Sequence, residues 1–208
     1  MKKIIKKIII NLYTLSYLII KKKAKSKINL ASGDQRIPGY INLDYSLSAD
    51  IPINLNWGCL PFKDDTVEVV VCTSAINYFT KERARIIISE TYRVLKIGGV
   101  VRFSTQDLRV ISRAYVDHNI DLFKKQRKLT MDCKNNETDC DIFNEWISGY
   151  PTLGGRCKYI WDYETLEIIF HEVGFKEIKK MNYMESKIIE INQIDNRQDQ
   201  MFYLEAVK

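Results

Sequence analysis

The stretch KINLASGDQRIPGYINLD, residues Lys27 to Asp44, decides the fold. Its first apolar run predicts a strand over Ile28–Leu30, which enters a turn of small residues at 31–33. A second strand is predicted over Tyr40–Leu43 and leads into Asp44. This pattern is typical of nucleotide-binding α/β folds, in which backbone N–H groups of the turn approach the ligand and the acid accepts both ribose hydroxyls.

Two details of the stretch argue against a dinucleotide ligand. It contains no Gly-x-Gly-x-x-Gly turn to hold a pyrophosphate. Asp44 also follows Gly33 by only 11 residues, with Pro38-Gly39 between them. That spacing leaves little room for a crossover helix whose N-terminus would bind phosphates. A ligand without phosphates is therefore favoured.

Strand-like and helical patterns alternate through the rest of the chain. Further strands are predicted over Asp50–Ile53, Val67–Cys72, Val100–Ser104, Phe175–Met184 and Met201–Val207. Helices are predicted over Lys81–Lys96, Leu108–Lys125 and Tyr163–Val173, with Thr80 and Asp162 as N-caps and Gly98-Gly99 ending the first. Residues 132–151 show no regular pattern. The alternation predicts an α/β domain with a mostly parallel sheet.

The net charge of +6 is concentrated at the N-terminus. Residues 1–27 contain nine Lys and no acid. Subtracting them from the 32 basic residues leaves 23 against 26 acidic ones, a net charge of −3 for the body. The body therefore lacks the clustered basic face that nucleic-acid binding requires, and no nucleic-acid partner is expected.

Residues 1–26 are predicted to form a basic amphipathic leader helix, separate from a domain over residues 27–208. The apolar run Ile8–Ile20 has 13 residues, fewer than the roughly 20 that span a bilayer, and no Ala-x-Ala cleavage site follows it. One interpretation is a helix lying on an anionic membrane surface. The other is a helix packed on its own domain with solubilising Lys side chains.

The five Cys are scattered and form no Cys-x-x-Cys pair, which indicates free thiols in a reducing cytoplasm and no metal site.

Several motifs, taken in order, resemble the class I S-adenosylmethionine-dependent methyltransferases. The chain looks most like the small branch encoded beside polysaccharide and surface-glycan genes. The motifs are Asn29-Leu30-Ala31-Ser32-Gly33, Pro38-Gly39-Tyr40-Ile41-Asn42-Leu43-Asp44, Leu60-Pro61-Phe62, Tyr92-Arg93-Val94-Leu95-Lys96 with Gly98-Gly99, Asp107-Leu108 and Gly174-Phe175. The resemblance covers Ile28 to Lys208. It implies a Rossmann-like sheet of seven strands, mostly parallel with an antiparallel last strand, and helices on both faces.

The resemblance also implies a binding site for S-adenosyl-L-methionine. Ala31, Ser32 and Gly33 would face the methionine part and Asp44 the ribose. Asn54 and Leu55 would flank the adenine, and Thr73, Ser74 and Ala75 would border the sulfonium and the acceptor. Two catalytic candidates remain. Tyr78 could hydrogen-bond a hydroxyl nucleophile or face the sulfonium charge, and Asp107 could serve as general base or as the N-cap of the following helix.

The sequence departs from the family pattern at three places. Ala31 replaces a usual Gly, Asn54 stands where Asp is common, and Ile76-Asn77-Tyr78-Phe79 replaces Leu-Glu-His-Phe. An aromatic stretch from Trp146 to Tyr163 fits either a substrate lid or core packing, and Arg156 and Lys158 within it could meet a substrate phosphate. The expectation is a cytoplasmic methyltransferase, peripheral on the inner membrane face, that acts on an O or N atom of a small or glycan-precursor substrate. The alternative is a degenerate relative that serves as a membrane-associated binding or scaffold partner.

Overall fold

The computed structural model describes residues 27–57, 59–119, 138–148 and 156–208, together with Ile4, Ile5, Ile8, Ile9, Leu12 and Leu122. Its strands are β1 (Lys27–Leu30), β2 (Ile41–Asp44), β3 (Ile51–Pro52), β4 (Val67–Thr73), β5 (Leu95–Gln106), β6 (Lys176–Met181) and β7 (Met201–Val207). Its helices, numbered among the described residues, are α1 (Lys81–Val94), α2 (Leu108–Val116), α3 (Asp139–Ser148) and α4 (Tyr163–Val173). Short 3-10 turns cover Ile76–Tyr78 and Ile191–Gln193.

The strands form one seven-stranded sheet in the order β3-β2-β1-β4-β5-β7-β6. Strands β1 to β5 pair in parallel, and β7 is antiparallel to both β5 and β6. The predicted fold class is therefore confirmed. The strand order reverses between β1 and β4, and in open α/β sheets ligands bind beyond the carboxyl ends of the strands at that point.

The local patterns place most elements within a residue or two. Strand β4, an apolar run apart from Glu68, is mostly buried as predicted, with Val67, Val70 and Val71 fully buried and Glu68 exposed. The Thr80 hydroxyl accepts the Arg83 N–H at 3.2 Å and caps α1. The Asp162 carboxylate caps α4 in the same way, and the left-handed Gly174 ends that helix.

The prediction that Gly98-Gly99 ends α1 is wrong. The helix ends at Val94, and both glycines lie inside β5. The chain becomes extended at Leu95 because this residue already pairs with Val67 of β4. Sheet pairing, which depends on a distant segment, overrides the local stop signal.

The prediction of one continuous helix over 108–125 is wrong, because α2 ends at Val116 and His118 has a left-handed φ of 52°, although Leu122 again has helical backbone. Of the remainder, residues 120–121 and 123–125 lie outside the described residues.

The prediction of irregular structure over 132–151 is wrong for 139–148, which form α3. Thr138 and Asp141 make a reciprocal capping box, each accepting the backbone N–H of the other at 2.9 and 3.2 Å. Ile142 and Trp146, four residues apart, then pack in a buried cluster with Ile111 of α2.

The connection from β1 to β2, residues 31–40, contains turns and no helix. The sheet face that a crossover helix would cover is covered instead by the β6–β7 loop, residues 182–200. Ile188 and Ile194 of this loop pack with Ile37, Tyr40 and Val71 in a second apolar cluster. The expected absence of a phosphate-binding helix after β1 is confirmed for these residues, all of which the structure describes.

A buried charged network anchors the β6–β7 loop to the sheet. Arg102 of β5 is 1% exposed and forms two hydrogen bonds with the Asp195 carboxylate, at 2.9 and 2.6 Å. Its guanidinium also donates to the carbonyl of Glu185 and lies 3.4 Å from Glu205 of β7. The Tyr203 ring stacks on the guanidinium, 4.9 Å from its centre. A buried guanidinium is stable only when counter-ions and hydrogen-bond acceptors surround it. The need to satisfy Arg102 therefore fixes the position of the β6–β7 loop on the sheet.

In the leader, the described residues Ile4, Ile5, Ile8, Ile9 and Leu12 have helical backbone. Four of these side chains, all except Ile9, are 51–65% exposed. The remaining leader residues lie outside the described part. Among the residues that the structure describes, no helix has the length and apolar character needed to cross a membrane.

We expect Asp195→Ala to lower the free energy of unfolding by about 3–5 kcal/mol, because Arg102 would remain buried without its main counter-ion. Urea denaturation measures the loss, and Asp195→Asn provides a milder variant if the Ala protein does not fold. Arg85→Ala is the matched control: it removes an exposed ion pair with Glu172 and should cost about 1 kcal/mol or less. A loss for Asp195→Asn no larger than that of the control would contradict this account of the anchor.

Candidate active site

A cavity of about 510 Å³ opens beyond the carboxyl ends of β1 to β4, where the strand order reverses. Its size is in the range of small-molecule sites. All nine residues predicted to bind a cofactor line it, and so does Tyr78: Ala31, Ser32, Gly33, Asp44, Asn54, Leu55, Thr73, Ser74, Ala75 and Tyr78. Residues separated by up to 47 positions in the sequence are thus brought to one surface by the parallel sheet.

The turn after β1 has an unusual backbone. Ala31 and Gly33 have φ values of 50° and 53°, in the left-handed region that favours glycine. The Ser32 N–H is held by the Leu43 carbonyl of the neighbouring strand at 3.0 Å. A Cβ placed on Gly33 would meet no atom within 4 Å. The turn therefore presents bare backbone to open space at the cavity, which is how such a turn accommodates a closely bound ligand.

Asp44, at the end of β2, forms hydrogen bonds with both the loop after β1 and the loop after β2. Its Oδ2 accepts the Gly33 N–H at 2.9 Å, and its Oδ1 accepts the Ser46 N–H at 2.8 Å. An ionised carboxylate offers about four lone-pair sites, so each oxygen can accept a further hydrogen bond from a ligand. The carboxylate is thus both a structural clamp and a fixed acceptor at the cavity wall.

The other walls are formed after β3 and β4. Buried Asn54 turns its Oδ1 back to accept the Asn56 N–H at 3.0 Å. Ser74 has a φ of 54°, and its N–H donates to the Ser104 carbonyl at 2.9 Å. Leu55 and Ala75 are buried and add apolar surface.

Tyr78 closes the 3-10 turn after β4 and is half-buried at the cavity. The segment 157–159 packs beside this turn, because the N–H groups of Lys158 and Tyr159 both donate to the Asn77 carbonyl. The Lys158 ammonium lies 3.3 Å from Asn56 Oδ1, at the edge of the same cavity. Burial raises the pKa of the neighbouring Cys157 thiol, which keeps it neutral and weakly nucleophilic at pH 7.

Asp107 does not line this cavity, and the structure shows it in the capping role. Its Oδ1 accepts the Arg109 N–H at 2.9 Å and caps α2, while Oδ2 lies 3.7 Å from the Lys180 ammonium. The carboxylate is buried behind the end of β5. The two catalytic candidates are therefore not brought together, and Tyr78 is the one that faces the cavity.

The aromatic stretch contributes to packing. Trp161 is fully buried in the main core, where the tilted Tyr159 ring packs against it with 4.4 Å between ring centres, and Trp146 packs against α2. Tyr163 contacts the same core. Tyr150 lies outside the described residues, so the structure supports core packing for the other aromatic residues of the stretch.

Part of the cavity lining was not predicted from the sequence. Asn196 and Arg197 reach the cavity from the β6–β7 loop, more than 160 residues after the β1 turn. The other unpredicted lining residues are Asp34, Gln35, Tyr45, Ser46, Ile53, Asn56 and Phe79. Most of these are immediate neighbours of predicted residues and could have been found by extending each motif. No local signal marks Asn196 or Arg197.

Residues 48–103 match the family described as "Methyltransferase domain". Among solved structures, a phosphoethanolamine N-methyltransferase 2 from Haemonchus contortus, in complex with S-adenosyl-L-methionine, is 14% identical with a TM-score of 0.51. That match covers 95% of this chain and 52% of the other, so this chain spans about half of that enzyme's length. An S-adenosylmethionine-dependent methyltransferase from Mesorhizobium loti is 12% identical over 93% of this chain and 96% of the other, with a TM-score of 0.50. No curated protein matches the chain.

These similarities and the strand order define the class: the chain has the Rossmann-like fold of class I methyltransferases. The matched segment runs from the β2–β3 connection through β4 and α1 into β5. It therefore includes Asn54, the residues after β4 and Tyr78, which form one half of the cavity.

We expect Ala31→Gly to raise the free energy of unfolding by up to about 1 kcal/mol. A non-glycine residue in the left-handed region costs about 1–2 kcal/mol, which the greater chain entropy of Gly partly offsets. Ala75→Gly is the matched control, because Ala75 has a φ of −124° and its buried methyl is lost without relief of strain. Urea denaturation compares the two. Equal losses for both variants would show that the Ala31 backbone stores no strain.

Proposed function

We propose that this protein is an S-adenosylmethionine-dependent methyltransferase that acts on an O or N atom of a small-molecule or glycan-precursor substrate. The observation that carries the proposal is the convergence on one cavity of the ten residues around Asp44 that the family resemblance implies. The matching methyltransferase-domain segment and the fold also support it.

The residues present fit this cofactor. The small-residue turn at 31–33 leaves the backbone at Gly33 exposed to open space. Two N–H groups hold the Asp44 carboxylate in a fixed orientation that suits a pair of ribose hydroxyls. Buried Leu55 and Asn54 provide an apolar wall with one amide, which suits a base. The helix-free β1–β2 connection suits a nucleoside that has no phosphates.

When bound, S-adenosylmethionine supplies an electrophilic methyl group on a sulfonium. The protein's own contribution is to hold the acceptor in line with that methyl and to exclude water. We place Thr73, Ser74 and Ala75 beside the sulfonium and Tyr78 at the acceptor. The Tyr78 hydroxyl would orient the acceptor's oxygen or nitrogen by a hydrogen bond, a role that needs no strong base.

A glycan-precursor acceptor is supported by the motif resemblance of the sequence and by the leader. We propose that residues 1–26 form a unit separate from the domain over 27–208 and lie on the anionic cytoplasmic face of a membrane. The exposed apolar side chains of Ile4, Ile5, Ile8 and Leu12, next to the Lys clusters, suit that surface.

The second candidate is a catalytically degenerate relative that binds or scaffolds a membrane partner. Two features favour it: the methyl of Ala31 projects from the strained turn, and the Asn54 side chain is already engaged by Asn56. Binding of the cofactor product without turnover of any acceptor would support this candidate.

We expect wild-type protein to bind S-adenosylhomocysteine, and Asp44→Ala to weaken that binding about 10- to 100-fold, because hydrogen bonds to a charged group are lost. Calorimetric titration measures the affinity, and the ligand-induced rise in melting temperature checks it. Asp117→Ala, which removes an exposed acid at the end of α2, is the matched control. If the wild-type protein shows no binding at millimolar S-adenosylhomocysteine, the proposed function is refuted.

We expect the full-length protein to sediment with vesicles that contain phosphatidylserine, and a variant that lacks residues 1–26 to remain in solution. Replacing Lys2, Lys3, Lys6 and Lys7 by Gln should reduce binding to these vesicles and weaken its sensitivity to salt, because Lys21, Lys22, Lys23 and Lys25 remain. Vesicles of phosphatidylcholine alone serve as the control surface. Unchanged sedimentation after the deletion would rule out the leader as the membrane contact.

A further inference from the structure

The charges around the cavity are unequal. Asp34 and Asp44 line it, and Arg197 is the one basic residue in its lining as the structure describes it. None of the acids that the structure describes forms an ion pair with Arg197. An exposed guanidinium at the rim of a binding cavity, without an acidic partner in the described parts of the chain, is a ready counter-charge for an anionic ligand group.

The chain next to Arg197 is held in place by the contacts of Asn196. Asn196 donates from Nδ2 to Gln35 Oε1 at 2.8 Å, and its carbonyl accepts the Tyr203 hydroxyl at 3.1 Å. Gln35 in turn donates to the Ile194 carbonyl at 2.9 Å. Asp195, which lies between Ile194 and Asn196 in the sequence, is the buried ion-pair partner of Arg102. The segment that leads into Arg197 is therefore fixed to the sheet.

The same contacts say which end of the cavity Arg197 borders. Gln35 follows the small-residue turn at 31–33 by two positions, so the loop meets the cavity at β1. The Asn54 end lies on the far side, beyond β2, at the edge strand β3. Arg197 also has a φ of 69°, and non-glycine residues in this region are uncommon and concentrated at functional sites.

We infer that Arg197 binds the α-carboxylate of the amino-acid part of the cofactor, and that the β6–β7 loop thereby completes the cofactor site. This inference rests on the proposed function and on its placement of the methionine part at the β1 turn. The guanidinium fork matches a carboxylate in geometry as well as in charge. The adenosine part, at the Asp44 and Asn54 end, makes no contact with this side chain.

Titrations with two ligands test the inference. S-adenosylhomocysteine carries the amino-acid carboxylate, whereas 5′-methylthioadenosine keeps the adenosine and lacks the whole amino-acid group. We expect Arg197→Ala to weaken S-adenosylhomocysteine binding about 5- to 30-fold, a range discounted for the exposure of the guanidinium, and to change 5′-methylthioadenosine binding less than twofold. Arg197→Lys should retain part of the affinity, since it keeps the positive charge but cannot donate the two parallel hydrogen bonds of a guanidinium.

Arg36→Ala is the matched control, because Arg36 is an exposed Arg on the β1–β2 connection, 3.9 Å from Asp50, and does not line the cavity. Ala at 197 has the same backbone strain as Arg, so equal melting temperatures are expected. The inference is overturned, while the proposed function stands, if Arg197→Ala weakens the binding of both ligands equally or leaves the binding of both unchanged. If wild-type protein binds neither ligand, the proposed function fails and the inference fails with it.

Discussion

The buried pairing of Arg102 with Asp195 is the interaction on which the site depends. A guanidinium inside the sheet must be matched by acceptors, and the chain provides them from the β6–β7 loop and from Glu205 of β7. Satisfying that charge holds residues 182–200 against the sheet. The loop in turn places Asn196 and Arg197 at the rim of the cavity, so a core electrostatic requirement determines the geometry of a surface site.

The loop also replaces a missing element. The β1–β2 connection is too short for a helix, and an uncovered sheet face would expose Ile37, Tyr40 and Val71 to water. Ile188 and Ile194 cover this face, and Gln35 joins the two loops by hydrogen bonds. The absence of a helix N-terminus after β1 removes a phosphate site, while the loop that compensates for it supplies a cation suited to a carboxylate. Both changes favour a nucleoside linked to an amino acid over a dinucleotide.

Local patterns predicted much of this fold because strands β1, β4 and β7 and helices α1 and α4 are specified by their own periodicity and caps. The errors occurred where contacts with distant segments determine the local secondary structure. Leu95 leaves the helix because it pairs with Val67, and α3 forms because Ile142 and Trp146 have α2 to pack against. The motif residues from Ala31 to Tyr78 were expected at one site because of the family resemblance. They line one cavity because each lies at or within a few residues of the carboxyl end of a parallel strand, and such strands end at one edge of the sheet.

The sequence by itself determined the order of the strands and of helices α1, α2 and α4, the acid at the end of β2, the small-residue turn and the concentration of Lys in the leader. These are properties of short segments, readable from periodicity, spacing and charge. Only the tertiary structure decided that Asp107 caps a helix away from the cavity and that Arg197 borders it. Those outcomes depend on the sheet order and on the anchoring of residues 182–200, through contacts between segments far apart in the sequence, such as Asn196 with Gln35, 161 positions apart. No local pattern encodes such a contact, because its free energy exists only once both segments are folded.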